Sequence, residues 1–160
     1  MELGQLLADR FLLLARVGAG GMGAVYRAED RLEGGQVAVK ILHAEGEDDR
    51  RRFARECSLL ASLQEPGLVR YLDRGASAEG ELFLVMEWLE GQSLRARLRG
   101  RGLTPRESIV LVHRLATTTG ALHRHDVVHR DLKPGNVVLV GDDPGQPKLL
   151  DLGIVRPSKG

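Results

Sequence analysis

The stretch that most constrains this chain is Val127 to Asn136, which reads V-V-H-R-D-L-K-P-G-N. Pro134 lacks an N–H and has a fixed φ, so no helix can run through it, and it biases Lys133 toward extended backbone. The apolar run Val137-Val138-Leu139-Val140 that follows reads as a strand. Asp131 and Asn136 are therefore held on one ordered polar loop between a helix and a strand. Alone, the stretch also reads as an ordinary polar turn. A carboxylate and a carboxamide on one rigid loop can nevertheless serve one centre. The carboxylate can take a proton from a nucleophile, and the amide oxygen can ligate a hard cation such as Mg²⁺.

Upstream, Leu3 to Ala8 is undecided between a short helix and a loose lead-in. Phe11 to Val17 reads as a strand, and Gly18-Ala19-Gly20-Gly21-Met22-Gly23 follows it. A dinucleotide-binding glycine loop opens a helix. Here Ala24-Val25-Tyr26-Arg27-Ala28 comes next, and its β-branched and aromatic residues favour a second strand. Strand, glycines, strand is a hairpin whose tip can lie close over phosphates, because glycine has no Cβ and leaves its N–H accessible. No Gly-Lys-Ser/Thr follows, so this is not a Walker loop. Val37 to Leu42 is a further strand, with Ala38 and Lys40 on one face and Val37, Val39 and Ile41 on the other.

A helix is expected from about Asp49 to Leu63, with Phe53, Cys57, Leu60 and Leu63 or Gln64 as its buried stripe and Glu56 beside it. Pro66-Gly67 breaks the chain. Leu68 to Asp73 and Glu81 to Leu89 read as two strands, and Ser93 to Arg99 as a short helix. Thr104 as N-cap, Pro105 at N1 and Glu107 at N3 form a capping box for a long helix to about His125. Its apolar side would carry Ile109, Val112, Ala116, Thr119 and Leu122 or Ala121. The run Thr117-Thr118-Thr119-Gly120 weakens that helix intrinsically. Lys148-Leu149-Leu150 pairs back after the Gly141 to Gly145 turn, and Asp151-Leu152-Gly153 follows.

The chain has the length of one domain, 160 residues. Lys plus Arg number 23 and Asp plus Glu 22, a net charge of +1, so there is no electrostatic case for nucleic acid or an anionic membrane as partner. The Arg-rich patches, Arg50 to Arg52 and Arg95, Arg97, Arg99 and Arg101, read as solvated helix faces. One cysteine, Cys57, excludes an intrachain disulfide, suits a reducing compartment and reads as core packing. Met1 to Arg16 lacks the basic start and cleavage site of a signal peptide, and no apolar run approaches the ~18 residues of a membrane span. His123, His125 and His129 are not read as a metal cluster.

In order, the glycine hairpin, strand Lys40, helix Glu56, H-R-D-L-K-P-G-N and Asp151-Leu152-Gly153 resemble the motif set of protein kinases. The chain resembles the bacterial serine/threonine kinases of eukaryotic type from about Phe11 onward. The resemblance implies an α+β, protein-kinase-like fold: a five-stranded N-lobe with one helix over about 11–89, a hinge over about 87–91 and part of a helical C-lobe over about 92–160. Residues 1–10 would be a lead-in. It implies ATP and Mg²⁺. Asp131 would accept the proton of the attacking hydroxyl and Lys133 would neutralise the γ-phosphate. Lys40, held by Glu56, would meet the α- and β-phosphates, and Asn136 and Asp151 would ligate Mg²⁺. The nucleotide would be lined by Val17, Gly18, Ala19, Gly20, Gly21, Met22, Gly23, Ala24, Val25, Ala38, Val138 and Met86, with backbone contacts from Glu87 and Leu89. Arg130 resembles the Arg that meets a phosphorylated activation loop.

By the same resemblance, Lys133 implies a protein substrate with a Ser or Thr hydroxyl. Leu152 stands where the family has Phe. The activation segment, the Ala-Pro-Glu-like motif and the later C-lobe helices are not in the sequence, which reads as a truncated or fragmentary kinase. Ile109, Val112 and Ala116 should therefore be exposed and favour self-association. The alternative function is a non-catalytic ATP-binding or interaction module. The expected location is cytoplasmic, as a separate protein or as part of a longer membrane-anchored kinase.

Overall fold

In the computed structural model, residues 2–20, 23–42 and 46–150 are described, with backbone alone for Ala19, Gly20, Asp49, Arg52 and Glu56. These residues divide into two compact units. One holds the chain up to Ser62 together with Arg70–Trp88, the other Leu63–Val69 and the chain from Leu89.

The first unit is a sheet with one helix. Strands β1 (Leu6–Leu7), β2 (Phe11–Gly20), β3 (Gly23–Asp30), β4 (Gln36–Leu42), β5 (Tyr71–Ala76) and β6 (Leu82–Glu87) pair antiparallel in the order β1-β2-β3-β4-β6-β5. The five expected strands are present. The sixth, β1, is neither the short helix nor the loose lead-in that the sequence allowed: Leu7 pairs with Phe11. One face of the sheet holds a core of Leu7, Phe11, Leu13, Tyr26, Ala28, Val37, Val39, Ile41, Phe83 and Val85. The Phe11 and Phe83 rings meet edge to face at 6.2 Å. Helix α1 (Glu47–Ser62) contacts β5, and its Phe53, Cys57 and Leu60 are buried as the 3.6-residue period requires.

Arg10 ties three parts of this unit together, donating to Asp30 at 2.7 Å and to Asp73 at 2.9 Å. The Arg10 guanidinium, helped by the N–H groups of Glu33 and Leu32, holds the Asp30 carboxyl well below the usual carboxylate range.

The sequence reads Leu68 to Asp73 as one strand, and the structure corrects this. Leu68 and Val69 are both buried and belong to the second unit, where Leu68 bridges Leu149 in parallel. Two successive buried side chains break the in–out alternation that β5 shows only from Tyr71.

In the second unit β7 (Gly91–Ser93), β8 (Val137–Val140) and β9 (Pro147–Leu149) form a three-stranded antiparallel sheet. Ser93 caps α2 (Leu94–Arg99), accepting from the Ala96 N–H at 3.1 Å. Helix α3 (Pro105–Arg124) opens on the expected capping box. Thr104 Oγ1 accepts from Glu107 N at 3.2 Å, and Glu107 Oε2 accepts from Thr104 N at 2.7 Å.

Arg97 is not part of a solvated face. It is 2% exposed and donates to Gly102 O at 2.7 Å, Asp142 O at 3.4 Å and Glu107 Oε1 at 2.7 Å. The Glu107 carboxyl lies below its ordinary value, first through the Thr104 N–H and then through Arg97. On α3, Leu111, Thr118, Ala121 and Leu122 are buried. Ile109, Val112 and Ala116 are exposed, as the sequence led us to expect. At Gly67 the chain approaches α3 closely: a Cβ there would fall 1.9 Å from Thr118 Oγ1.

Candidate active site

In the first unit, the glycine run is a hairpin. Gly20 pairs with Gly23 and Gly18 with Val25, which leaves Gly21 and Met22 as the connection; both lie outside the described residues. Gly23 sits at φ +126°, and a Cβ there would fall 1.9 Å from the Ile41 carbonyl oxygen, so only glycine lets β3 run this close to β4.

Cross-strand partners share a face of an antiparallel sheet. Gly18 opposes Val25, Val25 opposes Lys40 and Lys40 opposes Leu84. Ala38 opposes Met86 in the next row on the same face. Gly18, Val25, Ala38, Lys40 and Met86 thus lie on the side away from the aromatic core, as the period-two reading of β4 requires. Lys40 is 7% exposed. Val17 is exposed, at the bulge between Arg16 and Gly18. Ala24 differs: it packs against the core cluster, so its side chain faces the other way. Glu56 lies on α1 one position from buried Cys57, but its side chain, like those of Ala19 and Gly20, is outside the described residues. At Glu87 the N–H donates to Arg70 O at 2.9 Å, so that N–H is not the group that would meet a ligand. The chain passes to the second unit between Trp88 and Leu89.

The second unit carries the polar loop. Pro134–Asn136 forms a single 3-10 turn entered from extended Lys133, and β8 follows directly. His129 is 3% exposed, and its Nε2 lies 2.8 Å from the Leu150 carbonyl oxygen. With Nε2 donating there, Nδ1 is the ring atom that accepts the Asp131 N–H, at 3.4 Å. Leu150 also donates its N–H to Asn136 O at 2.8 Å. One residue thus clamps both ends of the loop. The sequence places Leu150 in the segment that pairs back after the Gly141 to Gly145 turn but carries no sign of this clamp. Arg130 adopts φ +60°, a left-handed turn in the middle of the loop.

The carboxylate of Asp131 is the focus of this loop. Lys133 Nζ donates to its Oδ2 at 2.8 Å. Asn136 Nδ2 donates to the same oxygen at 2.9 Å and to Asp131 O at 2.9 Å. Two donors thus fix one carboxylate oxygen. Because the Asn136 amide nitrogen is committed to Asp131, its Oδ1 is presented on the opposite side, as a hard oxygen ligand would be. Val138, half-buried on β8, stands opposite Ser93 and Lys148. Asp151, Leu152 and Gly153 lie outside the described residues. Among the described residues no three His, Cys, Asp or Glu side chains cluster to hold a metal ion, and no helix is long and apolar enough to cross a membrane.

Comparison with known proteins bears on this geometry. Residues 11–159 match the protein kinase domain family. The chain is 44% identical over 161 residues to the DNA damage-responsive serine/threonine-protein kinase RqkA of Deinococcus radiodurans, covering 98% of this chain and 24% of that protein. It is 34% identical to the serine/threonine-protein kinase PrkC of Bacillus subtilis, covering 96% and 24% respectively. The chain therefore spans about a quarter of the length of these curated relatives. Among solved structures, the PknI kinase domain of Mycobacterium tuberculosis aligns with a TM-score of 0.82 at 29% identity, covering 96% of this chain and 62% of that one. Rad53 residues 1–466 in complex with AMP-PNP aligns with a TM-score of 0.81 at 26% identity, covering 91% and 38%.

Proposed function

The chain belongs to the protein kinase family, as a bacterial serine/threonine kinase of eukaryotic type, and on that premise we propose that it transfers the γ-phosphoryl group of ATP to Ser or Thr hydroxyls of protein substrates. The observation that carries this reading is the pair of donors, Lys133 and Asn136, on one oxygen of Asp131. A carboxylate fixed in this way can orient an incoming hydroxyl and accept its proton. As the hydroxyl oxygen bonds to the γ-phosphorus, the bond from that phosphorus to the β–γ bridging oxygen breaks and the proton passes to Asp131. Lys133, beside Asp131, offsets the negative charge that moves with the phosphoryl group. Lys40 meets the α- and β-phosphates, with Glu56 as its anchor. Gly18, Val25, Ala38 and Met86 border the adenine and ribose from one sheet face, together with Val17. Rad53, the structural neighbour solved with AMP-PNP, supports this nucleotide assignment.

Asn136 and Asp151 are the residues that would hold Mg²⁺, the Asn through Oδ1. The ion would neutralise phosphate oxygens there. The catalytic power asked of the protein is then positioning and electrostatics. We place the domain on the cytoplasmic side, where ATP is available, a location that suits a single, buried cysteine that forms no disulfide.

Two measurements test the reading. Mg·ATP should raise the melting temperature of the parent and much less that of Lys40→Met. Asp131→Asn should keep the ATP-induced shift and lose phosphoryl transfer by roughly 10²- to 10⁴-fold. ATP binding without transfer by the parent would leave a nucleotide-binding module and overturn the kinase assignment.

A further inference from the structure

A polypeptide that delivers its hydroxyl to Asp131 must lay its neighbouring residues over the surface around the loop. Gly135 is the position there without a side chain. Arg95 of α2 covers it: a Cβ on Gly135 would lie 3.0 Å from Arg95 Nη2, 3.2 Å from Cζ and 3.3 Å from Nε. Three guanidinium atoms at nearly one distance place the flat face of that group against Gly135. Arg95 is exposed, and among the described residues no carboxylate forms a salt bridge with it. The residues beside it, Gln92, Ser93 and Gly135, are uncharged. The one acid of the loop, Asp131, is paired with Lys133. Arg130 is exposed and adds a further positive charge to the loop.

From Arg95 through Gly135 and the Asn136 amide to Asp131 is a path of no more than roughly 15 Å, about four residues of extended chain. A planar fork of five donors suits a carboxylate and repels a basic side chain. We propose that Arg95 is a substrate-specificity residue, which reads an Asp or Glu within about four residues of the accepting Ser or Thr. The protein substrates of this chain are then acidic around the acceptor. This inference rests on the kinase reading above.

The test uses the purified protein and Mg·ATP with peptides that carry one Thr in a neutral background. A single Asp, Ala or Lys is placed at each of the four positions on either side. At one position or more, Asp should raise kcat/KM about three- to fivefold over Ala, the scale of one exposed ion pair, and Lys should lower it. Arg95→Glu should invert that order, and Arg99→Glu, on the same helix, should preserve it. The preference should shrink as salt rises from about 50 to 500 mM. Because each result is a ratio between peptides, a general loss of activity cancels. Equal rates for Asp and Lys peptides at every position, or a preference that Arg95→Glu leaves intact, overturns the proposal. No transfer to any peptide, the neutral one included, overturns the kinase reading instead. Fluorescence anisotropy of the labelled Asp peptides then decides the role of Arg95. Binding weakened threefold or more by Arg95→Glu supports it, and unchanged or absent binding overturns it.

Discussion

Replacing Gly67 with alanine probes how the second unit closes on α3. Gly67 does not adopt a positive φ, so a methyl group there meets no backbone strain. In open space it would stabilise by about 0.4–1 kcal/mol by restricting the unfolded chain. The space is not open, because the new Cβ would lie 1.9 Å from Thr118 Oγ1, 2.9 Å from Thr118 Cβ and 3.0 Å from Thr118 Cγ2. Carbon atoms in good contact sit about 3.5–4.0 Å apart. Thr118 is poorly placed to turn away: it is β-branched, buried in a helix, and its hydroxyl donates to Arg114 O at 3.1 Å. The Gly67 segment is equally held. Gly67 O accepts from Leu149 N at 2.8 Å, and Val69 N donates to Leu149 O at 2.9 Å. Overpacking of this kind costs about 1–3 kcal/mol, so the net loss should be roughly 1–2 kcal/mol. In a chain of this length that lowers the melting temperature by roughly 2–8 °C. Thr118→Ala removes Oγ1 and Cγ2, two of the three nearest atoms, and leaves the 2.9 Å contact with Cβ. The double variant should therefore be more stable than the two single effects sum to, by about 1 kcal/mol. Urea unfolding of the four proteins measures this. A neutral Gly67→Ala, or an additive cycle, refutes the reasoning.

Other perturbations have definite signs. The Asp30 carboxyl is held below its ordinary range, so its pairing with Arg10 stabilises the fold above about pH 4, and that stability drains away as pH falls further. The melting-temperature gap between the parent and Asp30→Asn should be constant from about pH 5 to 7 and close below about pH 4; a gap that widens with acid contradicts the assignment. Thr104→Ala should cost about 1 kcal/mol in urea unfolding through loss of the α3 cap. Glu107→Ala should cost more than Thr104→Ala, because it removes the cap's second hydrogen bond and also the carboxylate partner of buried Arg97; the reverse order would mean that Arg97 is held mainly by Gly102 and Asp142.

Local signals in the sequence carried far where the physics is local. Period-two alternation placed Ala38 and Lys40 opposite Val37, Val39 and Ile41. Spacing identified the α3 capping box, and helical spacing identified the buried stripe of Phe53, Cys57 and Leu60. What escaped was set by partners distant in the chain. Arg97 reads as one arginine in a basic helix, and only the return of Glu107 and Asp142 makes it an internal clip. Leu68-Val69 reads as the start of β5, yet its backbone bonds to Leu149. β7 is three polar or small residues that become a strand only beside β8. On α3 the sequence groups Ile109, Val112, Ala116 and Thr119 with Leu122 or Ala121; Ala121 and Leu122 are buried, but the rest of the burial runs through Leu111 and Thr118. In the loop, spacing put Asp131 and Asn136 together, while the clamp at Leu150 depends on a strand made later in the chain.

The Leu68–Leu149 bridge has a consequence for biosynthesis. The two residues are separated by roughly 80 positions, and a ribosome adding about 5–20 residues per second reaches the second roughly 4–16 s after the first. Through that interval Leu68 and Val69, each 2% exposed in the finished fold, have no strand to dock on. The β2–β3 hairpin, by contrast, can zip as soon as it leaves the exit tunnel. On a nascent chain, Leu63–Val69 is thus the segment that a holding chaperone has most reason to cover.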